Sequence, residues 1–111
     1  MRTDSRLRLI NTKPFFGPGT AALLEAIAKS GCVRLASEDM NLSYSKARKM
    51  LSVFKEETGE AAVITGRGGI GGGSAVLTEY AISFLDAYRK WEEECNRHQN
   101  ELFFTYFGAL L

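Results

Sequence analysis

The 111-residue chain has no long apolar run, and none of its hydrophobic stretches approaches the ~20 residues that a helix needs to cross a bilayer. Its first five residues are polar and lack the apolar segment of a secretory signal. From these two absences we expect neither a membrane span nor a secretory signal in this sequence. They predict a soluble, cytoplasmic protein with no membrane partner.

Residues that carry catalytic or metal chemistry are scarce. The chain has one histidine, His98, and two cysteines, Cys32 and Cys95, which lie too far apart for a metal-ligand spacing. Cys95 and His98 stand three residues apart and could act as a nucleophile and base, but packing in a helix interface is the better interpretation. We therefore expect reduced thiols, no enzymatic activity, no metal and no cofactor, and no small-molecule effector site is evident.

The chain also lacks a strong excess of charge, with a formal net charge of +1. The charge is unevenly distributed, however. Residues 1–78 contain eleven Lys/Arg and seven Asp/Glu, whereas residues 79–111 contain three and six. The basic excess of the first part suits contact with phosphates, and the acidic tail is expected to face something other than nucleic acid.

The beginning of the chain predicts a strand, a loop and a helix. Residues 6–10, Arg-Leu-Arg-Leu-Ile, alternate charged and apolar residues, which is typical of a half-buried strand. Residues 11–19 contain two prolines and two glycines and predict a loop. Apolar positions on one helical face predict a helix over residues 20–30, closed by Gly31.

A helix-turn-helix pattern follows. Residues 33–40 predict a second, shorter helix, and residues 41–42 predict a tight turn. A third helix is expected to begin at Ser43, whose hydroxyl can cap it, and to end at Gly59.

The third helix has an apolar side and a basic side. Residues three and four apart form its expected core side: Tyr44, Ala47, Leu51 and Phe54. Small hydroxyls can meet base edges in the major groove of DNA while cations hold phosphates. The predicted DNA-binding residues of this helix are Ser43, Tyr44, Ser45, Lys46, Arg48 and Lys49. An ordinary solvated helix face remains the alternative.

Residues 66–73 form a glycine-rich stretch between two short strand candidates, residues 62–65 and 75–78. This order predicts a hairpin that serves as a wing, in which glycines let the backbone approach phosphates and Arg67 reaches the minor groove. The stretch also matches the dinucleotide pattern G-x-G-x-x-G, but that site needs a following helix and a parallel sheet. A hairpin tip without a function is the remaining alternative.

A long last helix is expected to start at Glu79, capped by Thr78, and to extend past Glu101. Six of its residues follow the 4-3-4-3-4 spacing of a coiled coil. These residues form the predicted dimer seam: Phe84, Tyr88, Trp91, Cys95, His98 and Leu102. The seam predicts a homodimer, and a strongly apolar end follows it at residues 103–111.

The chain resembles the N-terminal DNA-binding domain of the ModE family of molybdate-responsive bacterial transcription regulators, which is itself similar to that of LysR-type regulators. The resemblance covers residues 7–91. Its most specific parts are residues 43–47, Ser-Tyr-Ser-Lys-Ala, and residues 68–78, where the glycine-rich stretch runs into Ala-Val-Leu-Thr. It implies a mainly α fold with a small β wing: a winged helix-turn-helix followed by a long dimerisation helix.

Two departures from the family are visible. Arg48 stands where the family usually has tryptophan, which puts the family's operator sequence in doubt. The chain ends at Leu111, where full-length members continue into molybdate-binding domains, so a single-domain relative without molybdate sensing is expected.

Two functional hypotheses follow from the sequence. In the first, residues 1–78 are a winged helix-turn-helix DNA-binding domain and residues 79–111 a dimerisation helix with an apolar end. The homodimer then binds a palindromic operator in double-stranded DNA. In the second, the same scaffold is a protein-interaction module whose C-terminal helix docks a partner, with DNA binding lost or accessory.

Overall fold

The structure is a computed structural model that describes residues 1–66 and 73–111. It is mainly helical, with two small antiparallel sheets and a long C-terminal helix. In chain order the elements are β1 (Leu9–Ile10), β2 (Pro14–Phe16), α1 (Pro18–Ser30), α2 (Val33–Asp39), α3 (Tyr44–Thr58), β3 (Val63–Thr65), β4 (Ala75–Leu77) and α4 (Glu79–Phe107), and a short 3₁₀ turn follows at Gly108–Leu110.

Helix α1 lies at the centre of the core. It begins two residues earlier than predicted, because proline suits the first helical position, where its fixed φ is helical and no N–H is required. Gly31 ends it in the left-handed conformation, at φ 73°, and donates its N–H to the carbonyl of Ile27. Leu23, Leu24 and Ile27 are fully buried on the inner face. The predicted C-cap is thus confirmed.

The prediction for the N-terminal segment is partly wrong. Only Leu9–Ile10 of the predicted strand pairs, and its partner is Pro14–Phe16 in the segment predicted to be a loop. The pairing is antiparallel and irregular, and it places Phe16, which is 3% exposed, in the core. Burial of the Phe16 side chain stabilises this strand. The prolines and glycines around it predict a loop, so the local sequence does not reveal the pairing.

Glu57, near the end of α3, holds the turn between β1 and β2. Its carboxylate accepts hydrogen bonds from the backbone N–H groups of Thr12 and Lys13, at 2.8 and 2.9 Å, and from the Thr12 hydroxyl at 2.6 Å. The bond from the Thr12 hydroxyl is the largest cause that lowers the pKa of Glu57 below its ordinary value of 4.5, and the bond from the Lys13 backbone is the second. The ionised carboxylate therefore favours the folded hairpin.

Glu57→Gln is expected to lower the melting temperature of the protein at neutral pH. The decrease should be smaller at acidic pH. A lowered carboxylate pKa stabilises the fold above the unfolded pKa, and that contribution is lost as the pH falls through the folded pKa. Thermal unfolding at about pH 7 and about pH 3 measures the difference. Glu56→Gln is the control, since the one ion pair that Glu56 makes among the described residues, with Lys13, is exposed. Equal destabilisation by Glu57→Gln at both pH values would contradict the conclusion that the ionised Glu57 carboxylate stabilises the hairpin.

Helices α2 and α3 are joined by a tight turn, as predicted. Asn41 adopts the left-handed conformation at φ 55°, which asparagine tolerates better than most residues. The N–H of Leu42 bonds to the carbonyl of Ser37 at 2.9 Å and so closes the turn. Ala47 and Phe54, both 0% exposed, place the inner side of α3 against the rest of the core.

An aromatic cluster joins the N-terminal hairpin to α3 and α4. The rings of Phe16 and Phe84 lie 4.8 Å apart between centroids, those of Phe16 and Tyr88 4.9 Å, and those of Phe54 and Phe84 5.2 Å. The Tyr88 hydroxyl donates to the carbonyl of Leu7 at 2.8 Å, and burial raises the pKa of Tyr88. Tyr88 is only 2% exposed within a single chain.

This burial corrects the predicted dimer seam. Phe84 and Tyr88 pack inside their own chain, because the hairpin that the sequence analysis missed supplies Phe16 as their partner. Trp91 and Leu102 remain exposed, at 40% and 44%, and Cys95 is half-buried. His98 is exposed, with Nδ1 3.9 Å from a carboxylate oxygen of Glu101. The part of the seam open to a partner therefore begins at Trp91.

Helix α4 has 29 residues and continues well beyond the core, which confirms the predicted length and the Thr78 cap. The N-terminal segment lies along it: the Thr3 hydroxyl donates to the Asn100 side chain, and the Gln99 amide donates to the carbonyl of Asp4. Within residues 1–66 and 73–111, no helix combines the length and apolarity that a membrane span requires.

Candidate nucleic-acid interface

The outer face of α3 carries the residues that the sequence predicted to bind DNA. Four residues of this face are exposed: Ser45, Lys46, Arg48 and Lys49. On the opposite face of the helix, Ala47, Leu51 and Phe54 are buried in the core. This separation follows from the 3.6-residue period, since the apolar positions recur at three and four residues. The first two turns of α3 therefore present hydroxyl and basic groups to solvent.

The start of α3 is fixed by Ser43. Its side-chain oxygen accepts a hydrogen bond from the N–H of Lys46 at 3.0 Å, which is the predicted N-cap. Ser43 and Ser45 therefore differ in role: the first holds the helix end, and the second points outward without a described hydrogen bond. The cap therefore fixes the residue at which the exposed first turn of α3 begins.

Tyr44 is half-buried between two arginines. The guanidinium of Arg34, on α2, lies 4.3 Å from the centre of its ring, and that of Arg48 lies 5.9 Å away. A cation over an aromatic face is attracted to it, so the ring orients both guanidinium groups at the surface. Arg34 was not singled out from the sequence, because a charged residue on a short helix gives no local signal of this contact.

A second basic surface adjoins the outer face of α3 and shares two of its lysines, in an open cleft of about 660 Å³ that we call the basic cleft. Lys46 and Lys49 meet Arg6 and Arg8 of the N-terminal segment there. The remaining lining residues are mostly apolar: Pro14, Phe15, Phe16, Gly17, Pro18, Gly19, Thr20, Met50 and Val53. The sequence analysis assigned Arg6 and Arg8 to a strand only, although their period-2 spacing already placed both on one side.

The cations of this surface are unneutralised. In the described ranges, Arg6, Arg8, Lys46 and Lys49 form no ion pair. The ion pairs lie elsewhere, for example between Arg89 of α4 and Glu25 of α1. Charges that are not paired within the protein are free to attract an anionic partner.

The strands β3 and β4 form an antiparallel pair with the register Val63–Leu77, Ile64–Val76 and Thr65–Ala75. At its far end the N–H of Gly66 donates to the carbonyl of Ser74 at 2.8 Å. An antiparallel return is incompatible with the parallel sheet of a dinucleotide site, so that alternative is excluded. Arg67 and most of the glycine-rich stretch lie outside the described residues, and the role predicted for Arg67 stays a prediction.

The described residues give little support for a catalytic or metal centre. No group of three His, Cys, Asp or Glu side chains among them could hold a metal ion. Cys95 is half-buried and His98 exposed on the outer half of α4. Within the described residues, the surface around α3 combines a capped helix start and arginines oriented by Tyr44 with several cations that form no ion pair.

These features define a small helical protein with a capped, basic surface helix that is followed in the chain by an antiparallel β pair. No known protein-family model matches the chain. The chain is similar to the "DNA-binding transcriptional dual regulator ModE" of Escherichia coli K12, with 32% identity over 79 residues. Proteins named "Transcriptional regulator ModE" in Escherichia coli O157:H7 and Shigella flexneri match it equally. The alignment covers 71% of this chain and 30% of each relative, so the chain spans about a third of their length.

Proposed function

We propose that this protein is a DNA-binding transcription regulator of the ModE-like type. The observation that carries the proposal is the first half of α3, a helix start capped by Ser43. Its exposed residues are hydroxyls and cations that form no ion pair within residues 1–66 and 73–111. Similarity to regulators named ModE, over 79 residues, supports the same class. In this proposal the chain is a regulator and not an enzyme.

The proposed docking places α3 in the major groove. Ser43, Tyr44 and Ser45 open the helix and contact base edges, while Lys46, Arg48 and Lys49 hold phosphates on either side. The pair β3–β4 acts as the wing of a winged helix-turn-helix, and Arg67 beyond it enters the minor groove. Arg34 adds a further cation beside Arg48, since both guanidinium groups are oriented by Tyr44.

The proposed assembly is a homodimer on a palindromic operator. In this assembly residues 1–78 bind DNA, and the first half of α4 completes their hydrophobic core. The remainder of residues 79–111 pairs with a second copy of the chain. Trp91 lies near the middle of α4, and Cys95, His98 and Leu102 follow it in the outer half. A two-fold axis there lets each patch meet its own mate. Two recognition helices separated by about 34 Å would match successive turns of the groove.

One observation favours the second hypothesis, a protein-interaction module. The C-terminal end exposes a group of large apolar side chains, including Tyr106 at 75% and Leu110 at 79%. Large exposed apolar patches mark interaction sites. In that case the C-terminal end binds a different protein, and α3 is a solvated helix face.

A gel-shift experiment separates the two hypotheses. The protein is added to pooled fragments of its native genome in the presence of excess non-specific competitor DNA. A regulator gives a saturable shifted band that weakens steeply as salt rises, because counterions are released on binding. An interaction module gives no saturable band, and this result would overturn the proposed function.

Ser43 and Ser45 are expected to respond in opposite ways to substitution by alanine. Ser43→Ala removes the cap of α3 and should cost about 1 kcal/mol of stability. Ser45→Ala should leave stability nearly unchanged and relax base preference at one operator position by about 1–3 kcal/mol. Thermal melting and binding to single-base operator variants measure the two effects. A stable Ser43→Ala protein with a destabilised Ser45→Ala protein would mean that the helix start is misassigned.

A further inference from the structure

The basic cleft has the size and lining of a small-molecule site. Its volume of about 660 Å³ lies within the range of typical ligand pockets. Arg6, Arg8, Lys46 and Lys49 surround an apolar floor that includes Phe15, and no acidic side chain is among the residues that line the cleft in the described ranges. The lining therefore combines strong attraction for an anion with apolar surface.

The first turn of α1 opens into the same cleft. Gly17 is the N-cap and has no side chain, so no side-chain hydrogen bond caps the helix. Gly19 and Thr20 follow in the first turn and line the cleft. The first N–H groups of a helix have no partner within the helix, and its positive end favours an anion.

Thr20 adds a hydroxyl to the lining of the cleft. The residue is 8% exposed and lines the cleft, and its hydroxyl makes no hydrogen bond within residues 1–66 and 73–111 and is accessible to solvent. A ligand oxygen in the cleft could accept a hydrogen bond from the Thr20 hydroxyl.

The apolar floor distinguishes the kinds of anion. Phosphates of the DNA backbone need cations and polar donors, but not an apolar surface beneath them. Met50 and Val53 of α3 and Phe15 of β2 offer such a surface next to the cations. A small organic anion with an apolar body uses both parts of the lining.

We propose that the basic cleft binds an organic phosphate or carboxylate with an apolar body, and that this ligand competes with DNA for Lys46 and Lys49. The competition rests on the proposed function, in which the same two lysines contact DNA phosphates. The sequence showed no such site, because its cations come from residues about 40 positions apart that only the fold brings together. The ligand is an effector that lowers affinity for DNA.

The first test measures ligand binding in the absence of DNA. Phenyl phosphate, inorganic phosphate and phenol are titrated separately into the isotopically labelled protein at constant ionic strength, and amide shifts are followed by NMR. Phenyl phosphate should saturate at about 1 mM or below and shift the amides of Gly17, Gly19 and Thr20. Each of the other two probes should bind at least about tenfold more weakly. Equal binding of inorganic phosphate, or no saturable shift at these amides, would overturn the ligand proposal.

Two variants locate the site. Thr20→Val keeps the side-chain shape and removes the hydroxyl, and Arg8→Gln removes a rim charge, so each should weaken phenyl phosphate binding several-fold. Lys29→Ala is the matched control, because Lys29 lies in the last turn of α1, away from the cleft. Melting curves confirm that each variant is folded. Unchanged affinity in a folded Arg8→Gln protein would place the ligand elsewhere.

The second test measures competition. Phenyl phosphate at about ten times its dissociation constant should weaken DNA binding at least about fivefold relative to inorganic phosphate at the same ionic strength, because a ligand that occupies the same lysines lowers the apparent affinity by about 1 + [L]/Kd. Ligand binding with unchanged DNA affinity would overturn the competition. A protein that binds phenyl phosphate but no DNA would instead contradict the proposed function, so the two failures are distinguishable.

Discussion

Replacing Lys46 and Lys49 together by alanine is expected to weaken binding to all DNA sequences by about 10- to 100-fold at moderate salt. Both side chains are exposed on the first two turns of α3 and are unpaired in the described part of the chain. Each phosphate contact that is lost should also flatten the dependence of log affinity on log salt by about one unit. Fluorescence anisotropy across a salt series measures both quantities.

A double variant on α4 provides the control with the same change in net charge. Lys90 and Arg97 are exposed and far from α3 in sequence, and Lys90→Ala with Arg97→Ala should leave the affinity and the salt slope nearly unchanged. If both double variants weaken DNA binding equally, only the overall charge matters. Unaltered affinity and slope in the α3 variant would show that the proposed docking is wrong.

Trp91→Glu is expected to dissociate the proposed homodimer and abolish tight DNA binding while residues 1–78 stay folded. Trp91 is 40% exposed and begins the part of the dimer seam that remains open to a second copy. A carboxylate placed there would be buried against apolar surface without a partner, which is strongly unfavourable. Loss of one of two half-sites then removes most of the affinity. Sedimentation and DNA binding measure the two effects.

Ile82→Glu is the matched control for Trp91→Glu. Ile82 is an exposed apolar residue of the same helix, at 54%, and it lies on the opposite side from Phe84 and Tyr88. The same charge there should leave the assembly intact. A monomer in the unmodified protein, at micromolar concentration and moderate salt, would remove the basis for the two-fold assembly.

The elements that the sequence predicted correctly are those determined by local interactions. Ser43 and Thr78 each accept a hydrogen bond from an N–H three residues ahead, and Gly31 and Gly59 each adopt a left-handed conformation at a helix end. These interactions need only neighbouring residues, so the residue types reveal them. The helix bounds and the two sides of α3 follow from the same local rules.

The features that the sequence did not reveal depend on distant residues. The β1–β2 hairpin is held by Glu57, about 45 positions away from its turn. Phe84 and Tyr88 have the spacing of a coiled-coil seam, but Phe16 occupies their surface. A periodic pattern identifies an apolar face without identifying what covers it, so the sequence could not separate core from interface.

The cleft illustrates the same limit for the site. Lys46 and Lys49 were predicted from the helical period of α3, whereas Arg6, Arg8 and Thr20 come from other segments. Their proximity follows from packing of the N-terminal hairpin against α3. Local pattern alone could not place these five side chains around one opening.

NMR mapping of the surface that DNA covers is the most direct test of the α3 interface. A short duplex of mixed sequence is added to the labelled protein at low salt, where sequence-independent binding uses the same phosphate contacts. The largest amide and side-chain shifts are expected within residues 43–49, with smaller shifts near Arg34 and Arg67. Shifts confined to the outer half of α4, or none at any duplex concentration, would contradict DNA recognition through α3.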